Sequence, residues 1–328
     1  MIRPVIRQHA PIRRVGVIDL GTNALHLYIV DVAPDGRHHV LLHQRELPRL
    51  GGGGLVDNRL APAAMKRALI ILRRYARLLQ RWQVDHVEAV ATSAAREAAN
   101  GAAFVRRVRR EIGIPLRIIS GRDEARLIYQ GVQLVHRFRR PTLIVSIGGG
   151  SIQVKVGDGG HPAYLVSVPL GGARLAQRFI HHDPPLAEEA AAMEMHARRV
   201  WAPVVRALRH HQWDQAWGSS ATIDQLSLAA YLRSHRRPPT ARQARWLTQP
   251  SLHRFITLVA SCTAAQRKRL PGIDPRREDM VLPTAVALLT LMEGCAIRRL
   301  RYAPGSLREG LIFDALHSHS ASAHAPAR

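Results

Sequence analysis

The chain has 328 residues, 46% hydrophobic and 22% charged, which is typical of two globular domains with separate cores. The absence of a long apolar run, of a signal-peptide pattern and of paired cysteines excludes membrane-spanning and disulfide-rich secreted proteins, and predicts a cytoplasmic protein with reduced thiols. The 48 Lys and Arg residues exceed the 24 Asp and Glu residues, and the net charge of +24 favours a polyanionic ligand. Arginine occupies all but three of the basic positions, so a general bias of the sequence toward arginine explains this excess as well as a polyanionic ligand does.

The first half of the chain begins with a basic segment, residues 1–14, which is predicted to be a tail. Residues 15–32 are predicted to form two strands, because apolar runs flank a turn that contains Gly21, Thr22 and Asn23. Helical spacing, alternation and capping predict the next elements in this order: a strand to about 43, a helix at 62–82, a strand at 87–90, a helix to about 111, a strand at 116–119 and a helix from 121 to about 138, capped by Ser120.

The second half starts after Arg-Arg-Pro at 139–141, the predicted domain boundary. An apolar run at 143–147 predicts a buried strand, and alternation at 152–156 predicts a second strand with one solvent-exposed face. The turn between them consists of four small residues: Gly148, Gly149, Gly150 and Ser151. Because glycine has no Cβ, the amides of this turn can crowd an anion. No helical period follows, so the motif differs from a strand-to-helix phosphate loop.

The same strand–turn–strand arrangement therefore occurs in both halves, and it predicts two related phosphate loops in one chain. Either turn alone is equally typical of a plain β-hairpin. The rest of the second half is predicted as follows: a strand at 164–168, a helix after 174, a small-residue turn at 217–222, a helix at 223–232, a surface excursion at 234–250, helices at 251–268 and 278–294, a strand at 300–303 and a last helix at 307–316.

Five motifs occur in order along the chain: DLGTN at 19–23, ATSAAREAAN at 91–100, ISGRDEARLI at 119–128, the glycine turn, and GSLREG at 305–310. From about residue 14 to 316 the chain resembles the Ppx/GppA phosphatases, which are exopolyphosphatases and guanosine pentaphosphate phosphohydrolases of the actin, sugar-kinase and heat-shock ATPase (ASKHA) superfamily. The resemblance implies an α/β fold of two actin-like (RNase H-like) domains with an active-site cleft between them. The chain is similar to the short form, without the C-terminal helical domain of longer members.

This resemblance implies a division of the chain into two domains. Residues 15–139 are expected to form actin-like domain I, and residues 140–304 are expected to form actin-like domain II. The helix at about 305–316 is expected to pack back on domain I, and residues 317–328 are expected to be a disordered tail.

The resemblance also implies roles for individual residues. The amides of Gly21, Thr22 and Asn23, and those of Gly148, Gly149, Gly150 and Ser151, are expected to bind phosphate from the two sides of the cleft. Arg96 matches an arginine that the family places on substrate phosphate, and Glu124 matches the catalytic base.

Arg96 and Glu124 are each also compatible with a purely structural role. Arg96 is suited to be a surface partner of Glu97 or Asn100. Glu124 is typical of an acid that interacts with the dipole at a helix start. Asp123 already occupies the capping position, however, which leaves the Glu124 carboxylate free to point elsewhere.

Two positions depart from the family's pattern. Members usually carry aspartate where this chain has Ser146, and glutamate where it has Gln153. Those carboxylates are expected to help hold Mg²⁺ (or Mn²⁺), which prefers hard, charged oxygen ligands. Asp19 and Glu124 remain as metal-side acids, so we expect a weakened metal site and slower metal-dependent turnover than in relatives with both acids.

Three functions are compatible with the sequence. The first is a phosphohydrolase that releases terminal phosphate from inorganic polyphosphate or from guanosine pentaphosphate, with Glu124 activating water; the charge and the short form favour polyphosphate. The second is a polyphosphate- or alarmone-binding protein, with guanosine pentaphosphate or tetraphosphate as ligand, and with slow or no turnover. The third, a nucleic-acid-associated protein, rests on charge alone because no nucleic-acid module is recognisable. A homodimer is compatible with each function.

Overall fold

The structure, a computed structural model, describes residues 13–33, 37–235, 237–240 and 243–317. Residues 318–328 of the predicted disordered tail (317–328) and residues 1–12 of the predicted basic tail lie outside the described residues, whereas residue 317 ends the last helix. Two sheets with helices packed around them make up the described chain, which confirms the predicted α/β class. No helix in this part of the chain is long and apolar enough to cross a membrane.

The first sheet has five strands in the order β3-β2-β1-β4-β5. They are β1 (Arg13–Leu20), β2 (Leu25–Val32), β3 (His38–Glu46), β4 (His86–Ala91) and β5 (Leu116–Ile118). The first three strands pair antiparallel, whereas β4 lies parallel to β1 and to β5. Because β1 begins at Arg13, the last two residues of the predicted tail belong to this sheet, where the Arg14 guanidinium bonds Asp31 at 2.8 Å.

The second sheet has six strands in the order β10-β11-β9-β6-β7-β8. They are β6 (Thr142–Ile147), β7 (Ile152–Gly157), β8 (Tyr164–Val168), β9 (Gln215–Ser219), β10 (Trp246–Thr248) and β11 (Arg299–Tyr302). Five of them, β8-β7-β6-β9-β11, repeat the order and the pairing directions of the first sheet. The duplication predicted from the two turns is therefore confirmed.

The two turns occupy equivalent places and have the same geometry. The first loop, residues 21–24, joins β1 to β2, and the Gly21 amide donates to the Ala24 carbonyl at 2.9 Å. The second loop, residues 148–151, joins β6 to β7, and the Gly148 amide donates to the Ser151 carbonyl at 2.9 Å. Each loop follows the carboxyl end of a central strand, the edge where ligand sites of α/β sheets form.

Eleven α-helices and one 3₁₀ helix occur in the described residues. They are α1 (Pro62–Arg81), α2 (Ser93–Glu97), α3 (Gly101–Ile112), α4 (Gly121–His136), α5 (Gly172–Phe179), α6 (Ala187–Leu208), α7 (Ala221–Leu232), α8 (Gln249–Ala260), α9 (Ala264–Arg267), the 3₁₀ helix (Pro275–Met280), α10 (Val281–Gly294) and α11 (Leu307–His317).

One apolar cluster joins the two sheets through α4 and α11. Val17 of β1 and Ile144 of β6 are buried in it, together with Ile128 of α4 and Leu311 of α11. The last helix thus packs on the first strand, so residues from both ends of the described chain share one core. This cluster fixes the position of α4, which packs on β7 and β8 of the second sheet and on α11, and α11 in turn packs on β1 and β4 of the first sheet.

Three sequence-based predictions of local structure were wrong. The second strand of the glycine motif has no solvent-exposed face: all six residues of β7 are buried, because α4 covers the face that alternation assigned to water. Residues 234–250 contain the short edge strand β10 and the start of α8, which Thr248 caps by accepting from the Ser251 amide. The small-residue turn at 217–222 is instead the end of β9 and the start of α7.

Candidate active site

The first and second loops face each other and touch. A Cβ added to Gly150 would overlap the Ser93 hydroxyl and would lie 2.5 Å from the Thr22 hydroxyl oxygen. A Cβ on Gly149 would lie 3.2 Å from the Thr22 Cβ. The glycines therefore permit a close approach of the two backbones that no other residue type would allow.

The carbonyls of the second loop determine where its amides point. The Gly148, Gly149 and Gly150 carbonyls accept from the amides of residues 172, 173 and 171 at 3.1, 2.9 and 3.2 Å. These bonds cap the start of α5. Because a trans peptide directs its N–H opposite to its C=O, the amides of residues 149–151 point away from α5 and toward the cleft. The second loop thus presents three consecutive N–H groups to the space between the domains.

We expect Gly150→Ala to weaken anion binding at the second loop by about tenfold or more, equivalent to ~1.4 kcal/mol. The added methyl group must push the second loop away from Thr22 and Ser93, and overpacking of this kind costs about 1–3 kcal/mol. Calorimetric titration with polyphosphate measures the effect. Gly160→Ala is the matched control, because its Cβ would meet only the Asp158 carboxylate, at 3.5 Å. Equal affinities of both variants would contradict the close-approach argument.

A cavity of about 160 Å³ lies between the loops, the volume of roughly five water molecules. It is lined by most of the site residues predicted from the sequence: Asp19, Gly21, Thr22, Asn23, Glu124, Ser146, Gly148, Gly149, Gly150, Ser151 and Gln153. Arg96 does not line this cavity and reaches it through Glu124. One space thus brings together residues from both halves of the chain.

Glu124 lies in the first turn of α4, at the floor of the cavity. Ser120 caps the helix by accepting from the Asp123 amide at 3.0 Å, as the sequence predicts, and Asp123 stays at the surface. The Glu124 side chain points inward and bonds Arg96, with 2.9 Å between Oε2 and Nη1. Burial raises the pKa of the Glu124 carboxyl, and the Arg96 guanidinium opposes this rise.

Arg96 is held in place by the short helix α2. Its Nη1 also donates to the Ile119 carbonyl at 3.2 Å, so one nitrogen ties α2 to the start of α4. The alternative partner, Glu97, is farther away, at 3.8 Å from Nη2. The second alternative, Asn100, instead bonds the Leu60 backbone through both its Oδ1 and its Nδ2. The Arg96 guanidinium therefore bonds Glu124 rather than Glu97 or Asn100.

Asp19 and Ser146 place two unsatisfied oxygens in the cavity. Burial raises the pKa of Asp19 to about 7, and the nearby Arg308 guanidinium opposes this rise. Asp19 Oδ1 and Ser146 Oγ have no hydrogen-bond partner among the described residues. Buried polar atoms without a hydrogen-bond partner are rare unless a ligand or a water molecule bonds them.

Gln153 is fixed as a neutral part of the second loop. Its Nε2 donates to the Ser151 hydroxyl at 2.8 Å and to the Ser167 hydroxyl at 3.2 Å. The residue is only 2% exposed. The Gln153 amide therefore holds the second loop in place without adding charge, whereas a glutamate at this position would add a negative charge.

Arg174 connects the second loop to the first domain. Its Nε donates to the Gly150 carbonyl at 3.0 Å, and its Nη1 donates to the Leu55 carbonyl at 3.3 Å. Its Nη2 forms an ion pair with Glu97. Two further ion pairs, Arg45 with Asp274 and Arg49 with Asp279, also bridge the domains. The cleft is thus held by charged contacts at its rim.

Sequence reasoning missed several residues that line the cavity: His26, Ser220, Thr222, Arg277 and Arg308. Arg308 lies over the Tyr28 ring at 4.8 Å from its centroid, and Arg277 donates to the Thr222 hydroxyl at 2.8 Å. Arg308 lies within the GSLREG motif and Ser220 within the small-residue turn at 217–222, so both carried a local signal. No motif or turn pattern in the sequence marks His26 or Arg277 as a site residue.

Comparison with known proteins identifies the class to which this fold and site belong. The model of the Ppx/GppA phosphatase family matches residues 29–319. The structure of an exopolyphosphatase from Cytophaga hutchinsonii is 30% identical, with a TM-score of 0.85 over 93% of this chain and 98% of that chain. A Ppx/GppA family member from Aquifex aeolicus is 25% identical, with a TM-score of 0.76 over 96% of this chain and 100% of that chain.

The chain therefore belongs to the Ppx/GppA phosphatase family. The family model begins within β2 and extends through the second sheet, and the Cytophaga hutchinsonii structure covers 93% of this chain, which confirms the predicted actin-like architecture with a cleft between two domains. Membership supports phosphohydrolase activity.

Proposed function

We propose that the protein releases the terminal phosphate of inorganic polyphosphate, with Glu124 as the general base. One observation carries the proposal: a buried carboxylate, fixed by Arg96, lies at the floor of a cavity between the two loops, and the second of these loops presents three backbone amides. The net charge of +24 favours a long polyanion over guanosine pentaphosphate, which is the second substrate of this proposal. We further propose a cytoplasmic location.

In the proposed reaction, the amides of both loops bind the terminal phosphate and orient it toward Glu124. The Glu124 carboxylate accepts a proton from water, and the water oxygen attacks the terminal phosphorus. The phosphoanhydride bond breaks, and its electron pair stays on the bridging oxygen of the departing chain. Orthophosphate and a polyphosphate one unit shorter are the products. Arg308 and Arg277, which also line the cavity, offset the charge of the bound chain.

We propose Mg²⁺ or Mn²⁺ as cofactor, and the donors in the cavity fit a weakly held ion. Asp19 Oδ1 and Ser146 Oγ are unsatisfied hard oxygens of the described cavity, and Mg²⁺ often binds through one carboxylate together with substrate phosphates. No group of three acidic, His or Cys side chains suitable for a metal occurs in the described residues. Glu124 is bonded to Arg96, so we assign the metal to Asp19 and leave Glu124 to the water. Bound metal would add positive charge beside the phosphate.

We expect Asp19→Asn to weaken Mn²⁺ binding by about tenfold or more, because the neutral amide removes the charged ligand and retains its shape. Calorimetric titration with Mn²⁺, with and without polyphosphate, measures this directly. Asp57→Asn is the control, since that side chain is exposed on a loop away from the cavity. Unchanged Mn²⁺ affinity in Asp19→Asn would rule out the assigned site.

A binding protein with little turnover is the second candidate. Ser146 and Gln153 favour it, because the neutral Gln153 is satisfied by two hydroxyl partners and braces a loop that binds phosphate without catalytic charge. Phosphate release from long-chain polyphosphate and from guanosine pentaphosphate, with Mg²⁺ and with Mn²⁺, separates the candidates. Steady release from polyphosphate supports the hydrolase. Tight binding without release would establish the binding protein.

A further inference from the structure

Lys155 lies at the centre of β7, on the face that packs against α4. Side chains alternate along a strand, and the core of the second domain contains Ile152, Val154 and Val156. Gln153, Lys155 and Gly157 therefore share the other face. A Cβ on Gly157 would overlap the Tyr129 hydroxyl of α4, which shows how closely that helix covers this face. Lys155 is 0% exposed.

The Lys155 ammonium group is buried without a hydrogen-bond partner among the described residues. Its neighbours across the sheet are Ile144 and Leu165, which are both apolar. The Tyr129 hydroxyl on the facing helix already accepts from the Gly159 amide at 2.9 Å. Gly121 at the start of α4 packs against Ser167, which pairs with Gln153, and Tyr129 further along α4 packs against Gly157. The stretch of α4 between these contacts, which includes Glu124, therefore lies opposite Lys155, and Glu124 is the countercharge that acts on it. Burial lowers the pKa of Lys155 to about 7, and the Glu124 carboxylate opposes this shift.

Glu124 therefore receives positive charge from both domains. Arg96 reaches it from α2 of the first domain, with Glu97 beside the guanidinium, whereas Lys155 acts from β7 of the second domain. Asp19 is a second acid in the cavity, and the charges of Glu124, Arg308 and Glu309 act on it. Ser146 and Gln153, on the same sheet face as Lys155, are neutral. The second sheet thus contributes one cation and no carboxylate to the surroundings of Glu124.

The choice of lysine at this position is itself informative. The chain uses arginine at 45 of its 48 basic positions, with lysine only at 66, 155 and 268. A fully buried ammonium group destabilises a fold, and unlike arginine it can lose its proton there. Positions in a buried strand are normally apolar, and a charged residue at such a position is characteristic of a functional role.

We propose that Lys155 is a positioning residue that acts through Glu124: from the second sheet it supplies the positive charge that keeps this carboxylate ionised and ready to accept a proton. The proposal rests on the function proposed above, in which Glu124 is the base. Lys155 lies outside the cavity, and through Glu124 it affects the reaction inside it.

Lys155→Met tests this proposal, because methionine fills a similar volume without the charge. We expect the acidic limb of the pH–rate profile to move upward by about one pH unit, so that kcat with polyphosphate falls about tenfold at pH values on that limb, with KM unchanged. We also expect the Tm to rise by about 3 °C or more. A lysine with a structural role would lower the Tm on removal. Lys268→Met, at an exposed position, is the control.

A second measurement keeps this test separate from the test of the proposed function. Infrared titration of Glu124, with its carboxyl band identified by Glu124→Gln, reports ionisation whether or not the protein turns over. We expect the midpoint to rise by about one pH unit in Lys155→Met. An unchanged midpoint would overturn the role of Lys155 even in an active enzyme. A raised midpoint in a protein without turnover would uphold that role and refute the hydrolase.

Discussion

Replacement of Glu124 by glutamine is expected to lower kcat by about 10²–10⁴-fold and to leave polyphosphate binding almost unchanged. The amide oxygen of glutamine can still accept the Arg96 Nη1–H that bonds Oε2 at 2.9 Å, so the floor of the cavity keeps its shape. It cannot accept a proton from water. Stopped-flow phosphate release and calorimetric binding, measured on the same preparation, separate the two effects.

The neighbouring acid provides the control for Glu124. Asp123 lies one residue earlier in α4, accepts from the Ser120 hydroxyl at 2.6 Å, and faces solvent. Asp123→Asn is expected to change kcat by less than about threefold, because it affects only the helix cap. If Glu124→Gln retained more than about a tenth of the wild-type rate, general-base catalysis by Glu124 would be untenable.

Introducing both missing acids, Ser146→Asp with Gln153→Glu, is expected to make the protein strongly dependent on divalent metal. Ser146 and Gln153 pair directly across β6 and β7, so two new carboxylates would face Asp19 in one cavity. Without metal their repulsion and burial destabilise the fold. With the metal at about 100 times its Kd, metal binding raises the free energy of unfolding by about 2.7 kcal/mol. The Tm shift on addition of Mg²⁺ should therefore exceed that of the wild type by several degrees.

Ser146→Asn with Gln153 unchanged is the control for this pair, since asparagine has the shape of aspartate without its charge. We expect it to show a Mg²⁺-induced Tm shift no larger than that of the wild type. The acidic variant should also turn over faster in Mg²⁺, as expected if the neutral residues slow the reaction. Equal Mg²⁺ responses in wild type and acidic variant would contradict the charge argument.

The features that the sequence predicted well are local ones. The first and second loops were recognisable because each is four residues long and joins two adjacent strands. The inward orientation of Glu124 also followed from its own helix, because Ser120 and Asp123 satisfy the cap between them. Contiguous residues determine such features, so pattern and propensity suffice to find them.

The features that the sequence did not predict depend on packing between distant segments. Arg277 reaches the cavity from the six-residue 3₁₀ helix, whose position is fixed by contacts with α5 and α10. The helix α6 contains Pro203, a residue that normally ends a helix, and it is stabilised by packing on α10, where Trp201 Nε1 donates to the Ala287 carbonyl at 2.9 Å. Alternation placed Lys155 on a solvent-exposed face, because only the tertiary structure shows that α4 covers it.

The packing of α11 on β1 has a consequence for how the protein is made. Val17 and Leu311 belong to one apolar cluster although they are 294 positions apart, so this core cannot form before α11 has been synthesised. Contacts between such distant segments also slow folding, because a long loop must close before they form. The core of the first domain that contains Ile18 and Leu20 does not involve α11, but the opposite face of β1 stays exposed in the newly made chain until α11 has been synthesised.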